Sequence, residues 1–269
     1  MYLADYHTHT KFSPDARASM TEMARAAIAA GFDEICFTDH VEPVVWGGTA
    51  PREGYDWDAL REDFARAQAE VGEKIQLRLG MELGDPIWDE ENMKRLLANA
   101  PETDFTIGSI HLLSPAFDGT DLYVFSPRNE AEAYAGLADY VSQVRRLALR
   151  GDFCVLGHLT LPIRYMKERD GVPISFDRFE EEIREIFRIL IGKHIGIELN
   201  TNRANTPLPD EKWLKIYREM GGEIVTLGTD AHQPRHVGLG VREGQELLRA
   251  CGFKRFCTFE RKKPIWHEL

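Results

Sequence analysis

The sequence predicts an α/β barrel built from seven short strands. Three observations point to it. Apolar runs of four to eight residues alternate with segments of helical periodicity along all 269 residues. These runs are rich in Val, Ile, Leu and Phe without strict alternation, as in strands covered on both faces. Most of them end in His, Asp or Glu, which places reactive side chains at the carboxyl ends of the strands, the rim where barrels build sites. The runner-up is an open, doubly wound sheet. No linker, low-complexity tract or internal repeat divides the chain, so residues 1–269 are expected to form one domain.

Bulk properties narrow the class. Hydrophobic residues make up 43% and charged residues 29%, enough apolar material for a sizeable core. The formal charge of −11 makes long nucleic acid a poor partner, although a small phosphorylated substrate is compatible with a locally positive cleft. No apolar run reaches the ~20 residues of a membrane span, and no signal-peptide pattern opens the chain; the expectation is a cytoplasmic protein. Cys36, Cys154, Cys251 and Cys257 lack metal or redox spacing, and the first two lie in apolar strand patterns.

In order, the first strand covers about residues 2–7, and a capping box, Ser19 with Glu22, opens a helix that stops at Gly31. The second strand is 34–40. A Gly- and Pro-containing loop, 41–55, is long enough to be a flap over a site. A helix follows at 56–71, then a strand at 76–82, a helix at 89–99 and a strand at 105–111. Ser126-Pro127 reads as an N-cap with proline at the first helical position, for a helix ending near Arg150. A strand at 153–158, a loop with Arg164, Tyr165 and Lys167, and a helix at 175–193 come next. The remaining elements are a strand at 195–200, a helix at 210–220, a strand at 223–230, a helix at 241–251, a short run at 255–259 and a polar tail.

The chemistry is concentrated where these strands end. In Asp5-Tyr6-His7-Thr8-His9-Thr10 the period of two puts both imidazoles on one face, half of a transition-metal site, with Asp15 within loop reach. His40, Glu82, His111, His158, Asp230 and His232 end later strands. One histidine ending one strand is often structural. Several strands all ending in metal-competent groups are hard to explain as packing, since unpaired they are costly to desolvate.

Taken together, His7-x-His9, Thr38-Asp39-His40, Gly80-Met81-Glu82, Gly108-Ser109-Ile110-His111, Gly157-His158 and Thr229-Asp230-Ala231-His232 resemble the PHP (polymerase and histidinol phosphatase) family, in family order and over essentially the whole chain. The likeness is strongest to its stand-alone histidinol-phosphate phosphatases. The resemblance implies a distorted (β/α)7, TIM-like barrel with a metal site at the carboxyl ends of the strands. It implies three divalent ions: one on His7, His9, Glu82 and Asp230, a second on bridging Glu82 with His111 and His158, a third on Asp15, His40 and His232. Zn, Mn and Fe are all candidates, and the hard oxygen ligand at Asp15 leans towards Mn or Fe.

The activity implied is hydrolysis of L-histidinol phosphate to L-histidinol and phosphate, a step of histidine biosynthesis. A metal-bridging hydroxide would attack in line, with Asp230 or His232 as proton donor to the leaving group. Arg164 and Arg203 are expected to grip phosphate, the alternative being solvated loop arginines. Glu42 is a candidate partner for a substrate ammonium, and Asn200 and Asn202 for substrate contact. Asp5 and Asp39 are expected to orient imidazoles, and Glu198 to satisfy buried donors. His194, His236 and His267 read as structural, and the five tryptophans as core or loop anchors. Competing readings are a PHP-type enzyme for another ester, such as a nucleotide, and a non-catalytic, metal-stabilised barrel.

Overall fold

A computed structural model describes residues 1–46 and 48–269. Seven parallel strands follow one another round the sheet: β1 (Ala4–Thr8), β2 (Glu34–Phe37), β4 (Gln76–Gly84), β5 (Phe105–Ser109), β6 (Val155–Leu156), β7 (Gly196–Asn200) and β8 (Val225–Gly228). The last strand returns to the first. His9 N–H donates to Ala231 O at 2.8 Å and Asp230 N–H to His7 O at 2.8 Å, so the sheet nearly closes into a barrel. An open sheet is thereby excluded. The seams that close the barrel are made by site residues, which ties its geometry to theirs.

Helices cover the outside: α1 (Met20–Ala29), α2 (Trp57–Val71), α3 (Glu90–Leu97), α4 (Glu130–Arg150), α5 (Glu180–Gly192), α6 (Glu211–Glu219) and α7 (Val241–Ala250). Their starts follow local chemistry. Ser19 and Glu22 form the expected capping box, and Asp56, Asp89 and Asp210 accept from the first-turn amides of their helices. α4 differs. Its cap is Asn129, which accepts from Glu132 N–H at 2.9 Å, so the helix begins later than Ser126-Pro127 suggested. The competing turn chemistry lay three residues apart, and the residue whose amide acceptor faced the helix won.

Three further differences bear on the site. The second strand breaks after Phe37. Asp39 leaves the ladder to accept from Thr10 N–H, Thr10 Oγ1 and Ser13 Oγ, and pairing resumes in β3 (His40–Val41), with His40 opposite Glu82. The strand at 153–158 keeps only Val155–Leu156 in the ladder. The loop after it contains a π-helical turn, Ile163–Arg169, which carries Arg164.

The tail is not irregular. β9 (Arg255–Glu260) and β10 (Lys263–Glu268) form an antiparallel hairpin. Its two-residue turn is Arg261-Lys262, both at positive φ (49° and 61°). The hairpin packs under the amino ends of the strands, where Tyr6 Oη donates to Phe259 O and Phe105 packs against Phe259 at a tilt, ring centroids 5.0 Å apart. Phe256, Cys257 and Phe259 are buried there. All four cysteines are free and buried. Among the described residues no helix is long and apolar enough to cross a membrane. The 41–55 loop packs beside the opposite, carboxyl end of the barrel; its residue 47 lies outside the described residues.

Candidate metal centre and active site

Glu82, on the inner face of β4, is fully buried and surrounded by imidazoles. Its Oε2 lies 3.3 Å from His7 Nε2, 3.5 Å from His9 Nε2 and 3.0 Å from His40 Nδ1. Its Oε1 lies 3.3 Å from His111 Nε2 and 2.9 Å from His158 Nε2. Five imidazoles from four strand ends, two of them from β1, thus converge on one carboxylate. Asp230 Oδ1 completes one side, 3.7 Å from His7 Nε2 and 3.2 Å from His9 Nε2. Asp15 stands at the rim, with Oδ2 2.9 Å from His232 Nε2 and Oδ1 3.8 Å from His40 Nε2. The nine residues expected as ligands therefore meet at one place.

Their chemistry fits cations. His7 Nε2, His9 Nε2, His40 Nδ1, His158 Nδ1, His232 Nε2 and Glu82 Oε2 are buried without a hydrogen-bond partner. Orphaned polar atoms in such number are costly unless something binds them. Donors about 2.0–2.2 Å from a tetrahedral ion stand ~3.3–3.6 Å apart. The separations among His7, His9, Glu82 and Asp230 run from 3.2 to 3.7 Å. Groups of three or more such donors gather at His7–His9–Asp230, His7–Glu82–His158, His40–Glu82–His111 and His9–His40–His232.

A second layer fixes the imidazoles. His7 Nδ1 is 2.7 Å from Glu198 Oε1, while Glu198 Oε2 accepts from His158 N–H at 2.8 Å. His9 Nδ1 donates to Ser13 Oγ at 3.0 Å, and Ser13 passes its proton direction on to Asp39 at 2.7 Å. His111 Nδ1 faces Glu42 at 3.3 Å, and His232 Nδ1 donates to the Asp230 carbonyl at 3.0 Å. With a cation bound, the outward nitrogen of each ring would carry the proton and the inward one would give its lone pair to the ion. The orienting groups are thus chiefly Glu198, Ser13 and Glu42. Asp39 acts only through Ser13, and Asp5 instead binds Thr229 N–H, Thr229 Oγ1 and Gly238 N–H, which locks β8 against β1. Gly84 leaves room for this layer: a Cβ there would sit 2.8 Å from Glu42 Cγ and 3.0 Å from His111 Nδ1.

Electrostatics follow. Burial opposes protonation of His7, but the carboxylates of Glu198, Glu82 and Asp230 hold it well above the ordinary value. His40 is raised to about 9 against its burial, chiefly by Glu82. Burial pushes His9 well down, helped by His232 and His40. Glu82 and Asp230 stay far below the usual carboxylate range despite burial, held there by His7 and His111 and by Arg164 and His7 respectively. Without cations the cluster therefore shares a few protons among many bases, the role that metal ions take over when bound.

The cavity above the cluster has a volume of about 310 Å³. Arg164 and Arg203 both line it. Arg164 is largely engaged: its Nη1 pairs with Asp230 Oδ2, its Nε donates to Asn202 Oδ1 at 2.7 Å and its Nη2 to Asn200 Oδ1 at 3.1 Å. Arg203 stands in a run of three residues at positive φ, Asn202, Arg203 and Ala204 (49°, 54° and 67°), a conformation that costs energy for residues with a Cβ and turns Arg203 into the cavity. Asn202 departs from the expectation. It is fully buried, its amide is consumed by Arg164, Glu168 and Thr206, and it anchors the turn instead of lining the cavity. Asn200 is likewise occupied by Glu198, Arg164 and the Asn202 amide. Glu42 lines the cavity but faces His111 and, at 3.9 Å, Arg52.

Residues 5–202 match the PHP domain family. The chain belongs to that family. Histidinol-phosphatase of Lactococcus lactis is 29% identical over 266 residues, covering 96% of this chain and 95% of that protein. A Thermotoga maritima protein named as a probable histidinol-phosphatase is 26% identical, over 99% of this chain and 100% of its own. The crystal structure of the Lactococcus lactis histidinol phosphate phosphatase, complexed with Zn, L-histidinol and phosphate, superposes with a TM-score of 0.81 at 26% identity, covering 98% of each chain. This PHP chain thus shares its barrel, nearly end to end, with a structurally characterised phosphatase.

Sequence reasoning missed Ser13, the π-helical turn and the cavity rim formed by Trp46, Asp121 and Tyr123. Ser13 had a readable signal, a hydroxyl four residues after His9. The others depend on loops whose packing leaves no local pattern.

Proposed function

We propose that this protein is a metal-dependent phosphomonoesterase, a single-domain enzyme that releases phosphate from L-histidinol phosphate. The observation that carries this reading is the convergence of five imidazoles on Glu82 beneath a cavity lined by two arginines. The end-to-end likeness to a phosphatase complexed with Zn, L-histidinol and phosphate supports the substrate. The polar second layer argues against a barrel that merely uses ions as struts, because it aims lone pairs at the floor of an accessible cavity.

We propose three divalent ions: on His7, His9, Glu82 and Asp230; on Glu82, His111 and His158; and on Asp15, His40 and His232. When bound, such ions supply a water acidic enough to attack at neutral pH and a clamp for phosphate oxygens. The chain's own groups do the rest. Arg203, with no ion-pair partner within 4 Å among the described residues, grips phosphate, and Arg164 holds Asp230 ionised while offering its remaining N–H groups to the same oxygens. Asp230 and His232 are the candidate proton donors to the leaving alkoxide; both already serve the proposed ions, so the proton would pass to the alkoxide from whichever of them is released as the phosphate is displaced.

The test is a phosphate-release screen of monoesters, histidinol phosphate and mononucleotides included, on protein whose metal content is measured. Release from histidinol phosphate well above the other esters is expected. Equal rates on all esters would remove the substrate assignment, and no release from metal-replete protein would remove the enzyme. Replacing Arg164 and Arg203 together by Ala should raise KM roughly 10–100-fold, the loss of charge-assisted bonds to phosphate; an unaltered KM takes both off the phosphate.

A further inference from the structure

Of the two arginines that line the cavity, Arg164 is aimed by its bonds to Asp230, Asn200 and Asn202. Arg203 has no carboxylate partner within 4 Å among the described residues, so its backbone must set its aim. That backbone is unfavourable in isolation. Asn202, Arg203 and Ala204 take φ of 49°, 54° and 67° in succession, a region that residues with a Cβ adopt only when their surroundings impose it.

Segments on every side impose it. At the end of β7, Asn200 Oδ1 accepts from Asn202 N–H at 2.9 Å. Just before α7, Gly240 lies against the turn, where a Cβ would come within 3.1 Å of both Ala204 Cα and Thr201 Cβ. The π-helical turn supplies the rest. Glu168 Oε2 accepts from Asn202 Nδ2 at 2.9 Å, and Glu168 Oε1 accepts from Thr206 N–H at 3.1 Å. One carboxylate thus ties the loop together on both sides of Arg203. Arg164, one turn earlier, donates to Asn202 Oδ1 at 2.7 Å, so the buried Asn202 amide is held at both ends in a single orientation. The bland reading of Glu168 is a solvated acid on a helical turn. Its bonds reach 34 and 38 residues along the chain, which local surface pairing does not explain.

We infer that Glu168 is the positioning residue of Arg203: it clamps residues 202–206 in the left-handed conformation that presents the guanidinium to phosphate. This rests on the phosphomonoesterase reading and deepens it. Glu168 is exposed and does not line the cavity, so it acts through the loop and touches neither substrate nor ion. A guanidinium held ready loses less freedom when phosphate arrives than one on a loop that must first be ordered.

The experiment measures binding of inorganic phosphate to metal-loaded protein by calorimetry, alongside KM for histidinol phosphate. Glu168→Ala should weaken phosphate binding about three- to tenfold and raise KM in parallel, the scale of the lost bonds and of the ordering they supply. Glu168→Gln, which offers one acceptor oxygen where two donors wait, should fall between that variant and the wild type. Zinc content should equal that of the wild type in both. The deciding measurement is a double-mutant cycle. Added to Arg203→Ala, the Glu168→Ala change should cost nothing further, because the group it positions is gone. Phosphate binding undiminished in Glu168→Ala, or an equal loss with and without Arg203, overturns the inference. Phosphate release by the wild type separates the two readings: a protein that hydrolyses histidinol phosphate but fails these tests loses only the role of Glu168.

Discussion

Glu82 is the residue on which the other ligands depend. Its two oxygens each face several imidazoles, so it is the one ligand shared by two proposed ions. Glu82→Gln removes the charge while keeping the shape. Metal analysis should then find at least one ion fewer per chain, with phosphate release down by ~10³-fold or more, the scale of losing an electrostatic anchor; full metal content would refute the bridge. Glu198 acts one layer out. Glu198→Gln should weaken zinc binding ~10–100-fold in competition with a chromogenic chelator while leaving the fold intact, because one amide oxygen without charge must replace the two carboxylate oxygens that serve His7 Nδ1 and His158 N–H. Protons give a third check. His40 is raised to about 9 in the ion-free protein, so it is protonated at pH 7 and must lose that proton to bind a cation. Ion loading at pH 7 should therefore release protons, seen as a buffer-dependent heat. For the ion-free fold the same shift is stabilising below 6.5 and is lost as pH rises through 9, so its melting temperature should fall across that window. The clustered His, Asp and Glu residues were legible because most of them end an apolar run, while Asp15 was placed by loop reach. The role of Glu198 was not, since its partner His7 is 191 residues away.

Elements were read well where their own residues decide their ends. The capping box at Ser19 and the single-residue caps at Asp56, Asp89 and Asp210 are local chemistry, and the helices begin where those residues stand. At α4 two capping signals compete. Asn129→Ala should cost about 1 kcal/mol of stability in urea unfolding, whereas Ser126→Ala should cost a few tenths at most; the reverse order would return the helix start to Ser126. The hairpin β9–β10 was not legible. Its turn, Arg261-Lys262, lacks the Gly or Asn that usually announces positive φ, and its strands are held by burial against the barrel floor. The broken second strand was equally hidden: Asp39 leaves the ladder for hydroxyls and an amide near Thr10, a preference visible only once β1 lies beside it.

At the scale of the molecule, barrel closure and the site are one structure. The bonds that join β8 to β1 come from His7, His9, Asp230 and Ala231, three of them proposed ligands. Ions gathered there should therefore stabilise the whole barrel. Metal-replete protein is expected to melt well above protein stripped with a chelator, by about 4 kcal/mol when free ion exceeds its dissociation constant a thousandfold, and to recover on re-addition of zinc or manganese. An equal melting temperature with and without ions would show that the closure stands on packing alone.

By itself the sequence determined the barrel class, the strand and helix order and the nine His, Asp and Glu residues that meet at one place, because burial periodicity and strand-end chemistry are written locally. Only the tertiary structure decided which nitrogen of each imidazole faces inward, that the Asn202 amide is taken up by Arg164, Glu168 and Thr206, and that Asp121 is left without a cation at an aromatic mouth. These are contacts between segments far apart in the chain, and no spacing along one segment encodes what another will bring to it.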